Sequence, residues 1–255
     1  MILTIDIGNT NITFACYENN ILKCVSRLET NRSRTGDQYA VEFRQILILD
    51  HVDIQKINGA VISSVVPELT RTLVQTVEKL IGITPIVLAP KVKNGLDIKI
   101  DNPAELGADM VASAVAALNK YDLPCLIADL GTATKISVLD EKGVFRGCSI
   151  APGVDISLNA LSGGTSQLPA LALETPKCAI GTNTIASIRS GVVYGTAAML
   201  DGMFDRMEAE LGTKVKTFVA TGGYSKDIIT HCSRKIIYDE YLVLEGLLSI
   251  HEKNN

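Results

Sequence analysis

Histidine is scarce in this chain. Three stand among 255 residues, at positions 51, 231 and 251, far apart in sequence. That spacing gives little support to a zinc site or a Ser-His-Asp triad. The Cys-x-x-Cys motif is missing. The six cysteines, at 16, 24, 125, 148, 178 and 232, are expected to be reduced thiols, because a long chain without an export signal is read as cytosolic. No run approaches the roughly 18 apolar residues of a membrane span, although mean hydropathy is +0.24. The N-terminus has no basic segment, apolar stretch and small-residue cleavage site, so no signal peptide is read and a cytoplasmic location is expected. No long block of like charge occurs and the net charge is −4. That speaks against nucleic acid as the main partner, and the lack of an apolar span makes a membrane partner unexpected.

What is present is a core-forming chain, 47% hydrophobic, of a length for one or two domains. It contains an echo. LTIDIGNTNITFACYENN lies at the N-terminus, and LIADLGTATKISVLDEKG follows about half a chain later. Asp6 aligns with Asp129, Gly8 with Gly131, and Thr10 with Ala133 beside Thr132. Each copy reads as strand, tight Gly turn, strand. A short D-x-G-x-T match arises by chance, but matching flanks and half-chain spacing favour a duplicated domain. The expected halves are 1–115 and 116–255.

The chemistry of such a hairpin is that of a phosphate grip. Gly8 and Gly131 are expected to take a turn geometry closed to other residues and to leave room for a ligand. Thr10 and Thr132 offer hydroxyl and backbone donors to phosphate oxygens. An Asp at the strand end then holds a cation directly or through water. Two facing hairpins would grip a nucleotide across a cleft. The doubled motif resembles the actin-like ATPase and sugar-kinase fold.

The remaining pattern alternates strands with helices, hence α/β. Residues 56–65 read as a strand leading to Pro67, which opens a helix over 68–81. Residues 83–88 and 215–220 read as strands, 109–120 as a buried Ala-rich helix joining the halves, and 185–210 as one long helix. The strand over 215–220 runs into Thr221-Gly222-Gly223, a Gly turn of the kind that meets ligands in α/β proteins. A short helix is read over 225–232, and residues 251–255 as frayed. Asp109, in the first turn of its helix, reads by itself as an N-terminal charge favoured by the helix dipole.

Six segments in order change that reading: DIGNT at 6–10, NPAELGAD at 102–109, DLGTAT at 129–134, SIAPG at 149–153, GTNT at 181–184 and TGG at 221–223. Together they resemble a type III pantothenate kinase over essentially the whole chain. The resemblance implies a duplicated ribonuclease-H-like fold with two halves around an ATP cleft. It implies ATP-dependent phosphorylation of pantothenate at the start of coenzyme A synthesis, with Mg2+, a monovalent cation (K+ or NH4+) and a homodimer. Asp109 would be the general base. Asp6, Ile7, Gly8, Asn9, Thr10, Asn11, Ile12 and Thr13 would bind ATP, with Asp6 near the Mg–phosphate group, and Thr132 and Gly222 would join them. Asp129 would hold the monovalent cation. Ile100, Gly107, Ala108, Asp109, Met110 and Thr184 would line the pantothenate pocket.

The chain departs from the family form in that pocket. Met110 stands where Arg is usual, Ile100 where Tyr is frequent, and Cys148 follows Gly147 where a second Gly is usual. Four outcomes are consistent with this: a partner for the substrate carboxylate drawn from elsewhere (Lys135 or Arg189), weak pantothenate affinity, a different acceptor, or an inactive relative. The rival classes are another actin-fold kinase or phosphatase, and a non-enzymatic accessory factor. Retention of both Asp109 and Asp129 favours catalysis.

Overall fold

Period-two alternation at the N-terminus builds three consecutive strands, β1 (Ile2–Ile7), β2 (Asn11–Glu18) and β3 (Ile21–Glu29). Then follow α1 (Gly36–Leu49), β4 (Gly59–Ser64), α2 (Pro67–Ile81), β5 (Ile86–Val87), β6 (Asp97–Ile98) and α3 (Ala108–Lys120). The second part of the chain holds β7 (Cys125–Leu130), β8 (Ala133–Leu139), β9 (Val144–Pro152), α4 (Val154–Gly164) and α5 (Thr184–Leu211). It closes with β10 (Thr217–Thr221), α6 (Ser225–Ile229), β11 (Ile237–Tyr238) and α7 (Leu242–Glu252). The structure, a computed structural model, describes residues 1–164, 168 and 171–255.

The chain forms two compact units. The first holds residues 1–96, 101–119 and 241–255, and the second holds 97–100 and 120–240. The last fifteen residues, read from sequence as part of the second half, thus pack in the first unit.

In the first unit the strand order is β3-β2-β1-β4-β5. The first three strands are an antiparallel meander, and β4 and β5 run parallel to β1. In the second unit the order is β11-β10-β7-β8-β9-β6. Here β7, β8 and β9 form the meander, and β10 and β11 run parallel to β7. Apart from the edge strand β6, the two sheets have one strand order, as duplication of an ancestral half requires.

Alternation assigns the faces. Leu3, Ile5, Ile7, Ile12 and Phe14 turn toward α1 and α2, where Phe43, Leu47, Leu69, Leu73 and Val77 complete a buried cluster. Phe14 stacks on Phe43 with ring centroids 4.3 Å apart. The other face meets α7, with Ala15 and Tyr17 against Leu244 and Leu248 and with Ile2 alongside. Asp6 shares that second face, since it alternates with Ile5 and Ile7. In the second unit Leu126, Ala128, Leu130, Ile136 and Val138 pack against α4 and α5. Asp129 and Lys135, at the alternate positions, lie on the opposite face.

One expectation is corrected here. The chain end is not frayed: α7 runs to Glu252, His251 is buried, and Asn254 bonds the backbone of Lys93 in both directions. Residues 154–164 form a helix that the periodicity did not reveal.

Candidate active site

The first hairpin turns through residues 8–11, with the Gly8 N–H donating to the Asn11 carbonyl at 2.9 Å. The end of β3 braces it from outside. Thr30 Oγ1 donates to the Gly8 carbonyl at 2.7 Å and the Thr30 N–H to the Thr10 carbonyl at 2.9 Å. Asn9, Thr10 and Asn11 are exposed at the tip, while Ile7 and Ile12 are wholly buried. Any ligand contact by those two isoleucines is therefore made by backbone.

The strand registers bring polar groups around each acid. Asp6 pairs with Thr13 on β2 and with Ser63 on β4, so the three side chains share one face. The Ser63 hydroxyl is buried with no hydrogen-bond partner. Such an atom normally bonds a ligand or water. Ser63, which sequence reading missed, is signalled only as a hydroxyl at the end of an apolar strand. Arg32 was also missed. Its Nη2 donates to Asn9 Oδ1 at 3.2 Å, which sets a cation at the turn.

The second hairpin turns through residues 131–133, one fewer than the first, and here Asp129 pairs with Lys135 and Thr221. Lys135 therefore stands where Thr13 stands in the first hairpin. Its Nζ lies 2.7 Å from Asp129 Oδ2, with side-chain exposures of 15% and 21%. Thr132 is exposed at the tip.

Gly222 has φ +97°, and a Cβ there would lie 2.7 Å from Leu130 backbone and 2.8 Å from Asp129 Oδ1. This glycine is needed on both counts. Gly153 lies against the backbone of Gly131 and Thr132, where a Cβ would overlap their carbonyl oxygens. Two close backbone approaches thus fix the second turn. The expectation for Gly8 and Gly131 is corrected: neither has positive φ. Gly8 is restricted by closeness instead, since a Cβ would sit 3.0 Å from the Asn11 carbonyl oxygen.

Asp109 lies in the first turn of α3, partly buried, and its Oδ1 accepts the Met110 N–H at 2.8 Å. The helix-end reading is therefore correct locally, and it also orients the carboxylate. Gly107 allows it, because a Cβ there would be 2.7 Å from Asp109 Oδ1. Ala108 is half-buried, and Met110 is 6% exposed. Thr184 is exposed as the first residue of α5, whose Asn183 side chain caps the Ala186 N–H at 2.9 Å. Ile100 belongs to the second unit, whereas Gly107, Ala108, Asp109 and Met110 belong to the first.

Of the two cationic side chains considered for the pocket, Lys135 is engaged by Asp129. Arg189 pairs with the exposed Glu174 at 2.7 Å, and its buried Nε has no hydrogen-bond partner. Among the described residues, no three His, Cys, Asp or Glu side chains converge as metal ligands.

The family profile described as type III pantothenate kinase matches residues 2–206. A type III pantothenate kinase of Halalkalibacterium halodurans is 42% identical over 254 residues, covering 100% of both chains. The chain belongs to the type III pantothenate kinase family. More distant structures share the fold alone. The activator of the 2-hydroxyisocaproyl-CoA dehydratase of Clostridium difficile, solved with ADPNP, aligns over 99% of this chain and 93% of its own, with TM-score 0.58 and 12% identity. An inorganic polyphosphate/ATP-glucomannokinase from Arthrobacter aligns over 99% and 97%, with TM-score 0.50 and 13% identity. The architecture is therefore that of the actin-like ATPase and sugar-kinase group. The buried Met110 carries no charge to offer an anionic ligand.

Proposed function

We propose that this chain transfers the γ-phosphoryl group of ATP to the primary hydroxyl of pantothenate, the first step of coenzyme A synthesis. The observation that carries the reading is one acid-bearing hairpin at the same place in two sheets of one strand order, in a chain of a kinase family. Phosphoryl transfer needs held phosphates, neutralising charge and a base beside the attacking hydroxyl. This chain carries residue types for each task.

The N-terminal and C-terminal halves each contribute one hairpin to ATP. Asp6, Gly8, Asn9, Thr10, Asn11 and Thr13, with the backbone of Ile7 and Ile12, serve the phosphates from the first. Thr132 and Gly222 serve from the second. The hydroxyl-lined surroundings of Asp6, with Thr13 and the unpartnered Ser63, suit a hydrated Mg2+. When bound, that ion supplies positive charge against the phosphates.

Asp109 accepts the proton of the pantothenate hydroxyl, and its bond from Met110 N–H aims the carboxylate. Gly107, Ala108, Met110, Ile100 and Thr184 line the acceptor pocket. Arg189 is the cationic side chain we retain for the pantothenate carboxylate, because guanidinium binds carboxylate well and its Nε lacks a partner. A homodimer follows from the family resemblance alone. A cytoplasmic setting is supported by six free cysteines, Cys16 and Cys24 among them although they face each other in register.

The test is ADP release from Mg-ATP with pantothenate, comparing wild type with Asp109→Asn. Asn keeps an acceptor for Met110 N–H but is no base, so kcat should fall roughly 10²–10⁴-fold with the melting temperature unchanged. Equal turnover by the variant would remove Asp109 from the chemistry. Absence of pantothenate-dependent turnover in the wild type would overturn the acceptor.

A further inference from the structure

The two hairpins are topological equivalents, yet their acids have different neighbours. Asp6 lies beside the hydroxyls of Thr13 and Ser63. Asp129 lies beside Thr221 and beside Lys135. The Lys135 ammonium is 2.7 Å from Asp129 Oδ2, and both side chains are largely withdrawn from water. Register makes this contact unavoidable, since residues directly opposite on antiparallel strands present their side chains on one face within reach of each other. Close backbone approaches by Gly153 and Gly222 fix the turn that joins them. An exchangeable cation at Asp129 would have to share one carboxylate with an attached ammonium of the same charge. Like charges at that separation repel strongly in a partly buried site. The residues at Asp129 therefore do not fit the monovalent cation that the family resemblance implies, whereas those at Asp6 fit a hydrated divalent one.

We propose that Lys135 is the resident cation of the second hairpin, so that this chain works without potassium or ammonium. The tethered ammonium has the charge of an ammonium ion and three of its four N–H donors. It is attached to the fold, so its presence at Asp129 does not depend on the salt in solution. The shorter second turn is what places it there, putting residue 135 opposite Asp129 as residue 13 is opposite Asp6.

The inference rests on the proposed reaction only for its first readout. Wild-type turnover of Mg-ATP and pantothenate is measured in choline chloride, sodium chloride, potassium chloride and ammonium chloride at equal ionic strength. ADP is read directly by chromatography, so that no coupling enzyme adds a cation requirement. The expected result is turnover that varies less than about twofold across the four salts. Activation by potassium or ammonium of roughly fivefold or more, the lower range of ordinary ligand coupling, would overturn the inference.

The second readout needs no activity: melting of wild type and Lys135→Thr in the same salts. Wild type should melt alike in potassium and choline. Lys135→Thr, which copies Thr13 of the first hairpin, should gain a rise specific to potassium or ammonium. A potassium-specific rise in wild type, or a folded variant indifferent to every cation, would overturn the inference. Should the variant fail to fold, the wild-type salt series decides. Should no salt give turnover, the proposed reaction fails and wild-type melting still decides the cation question.

Discussion

Single residues at the second hairpin carry more constraint than their size suggests. Gly222 combines φ +97° with contact against Leu130 backbone and Asp129 Oδ1. Gly222→Ala should cost more than about 1 kcal/mol, because alanine is strained at positive φ, and it should raise KM for ATP by moving the turn. Urea denaturation and initial rates would check both, and an unchanged midpoint would refute the steric argument. Arg189→Leu should raise KM for pantothenate several-fold with kcat little changed, the pattern of lost uniform binding. An unchanged KM would leave Glu174 as its sole purpose.

His251 is buried beside Gly59, and burial lowers its pKa from the ordinary 6.5. The unfolded chain then binds the extra proton first. The stability given by the neutral ring is full above about 6.5 and is lost as pH falls toward the lower folded value. His251→Gln should flatten the decline in melting temperature between about pH 7 and pH 5, and a parallel decline in both proteins would exclude His251 as its source.

At the scale of elements, the close crossing of α7 on α3 has no slack. A Cβ at Gly246 would overlap the Ala112 carbonyl. Val111 through Ala117 of α3 are buried on every side, so the helix has no exposed flank toward which to move. Gly246→Val should destabilise the first unit by about 1–3 kcal/mol or more through overpacking, read by chemical denaturation. Because Asp109 lies in the first turn of α3, turnover should fall beyond what stability alone explains. The hairpins teach a related point. Their sequences align well around Asp and Gly, but the second turn is one residue shorter. That difference moves Lys135, not a hydroxyl, to the acid.

At the scale of the molecule, α7 returns the chain end to the first unit. Its Leu244 and Leu248 cover Ala15 and Tyr17, and the Asn254 side chain bonds the backbone of Lys93. Removing residues 241–255 would expose the sheet face that carries Asp6. The expected outcome is loss of a cooperative melting transition and poor solubility, checked by calorimetry. A truncated chain that melts like the full one would show that α7 is dispensable. No described helix is long and apolar enough to cross a membrane.

The sequence by itself determined the duplication, the class and the identity of the candidate residues. Asp6 and Asp129 are legible because a carboxylate inside an apolar strand followed by glycine is a local pattern. The long helix, read over 185–210 and observed over Thr184–Leu211, is legible because no proline interrupts it before the left-handed cap at Gly212, although Gly191, Gly195 and Gly202 lie inside it. Tertiary structure alone decided what those residues touch. Strand register, a long-range property, set Lys135 against Asp129 and left Ser63 beside Asp6. Backbone approach, invisible in a string of letters, gave Gly222, Gly107 and Gly246 their reasons, and it denied Gly8 and Gly131 the positive φ that their turns suggested. The chain end looked frayed because polarity is local, whereas the burial of His251 depends on a strand nearly two hundred residues away.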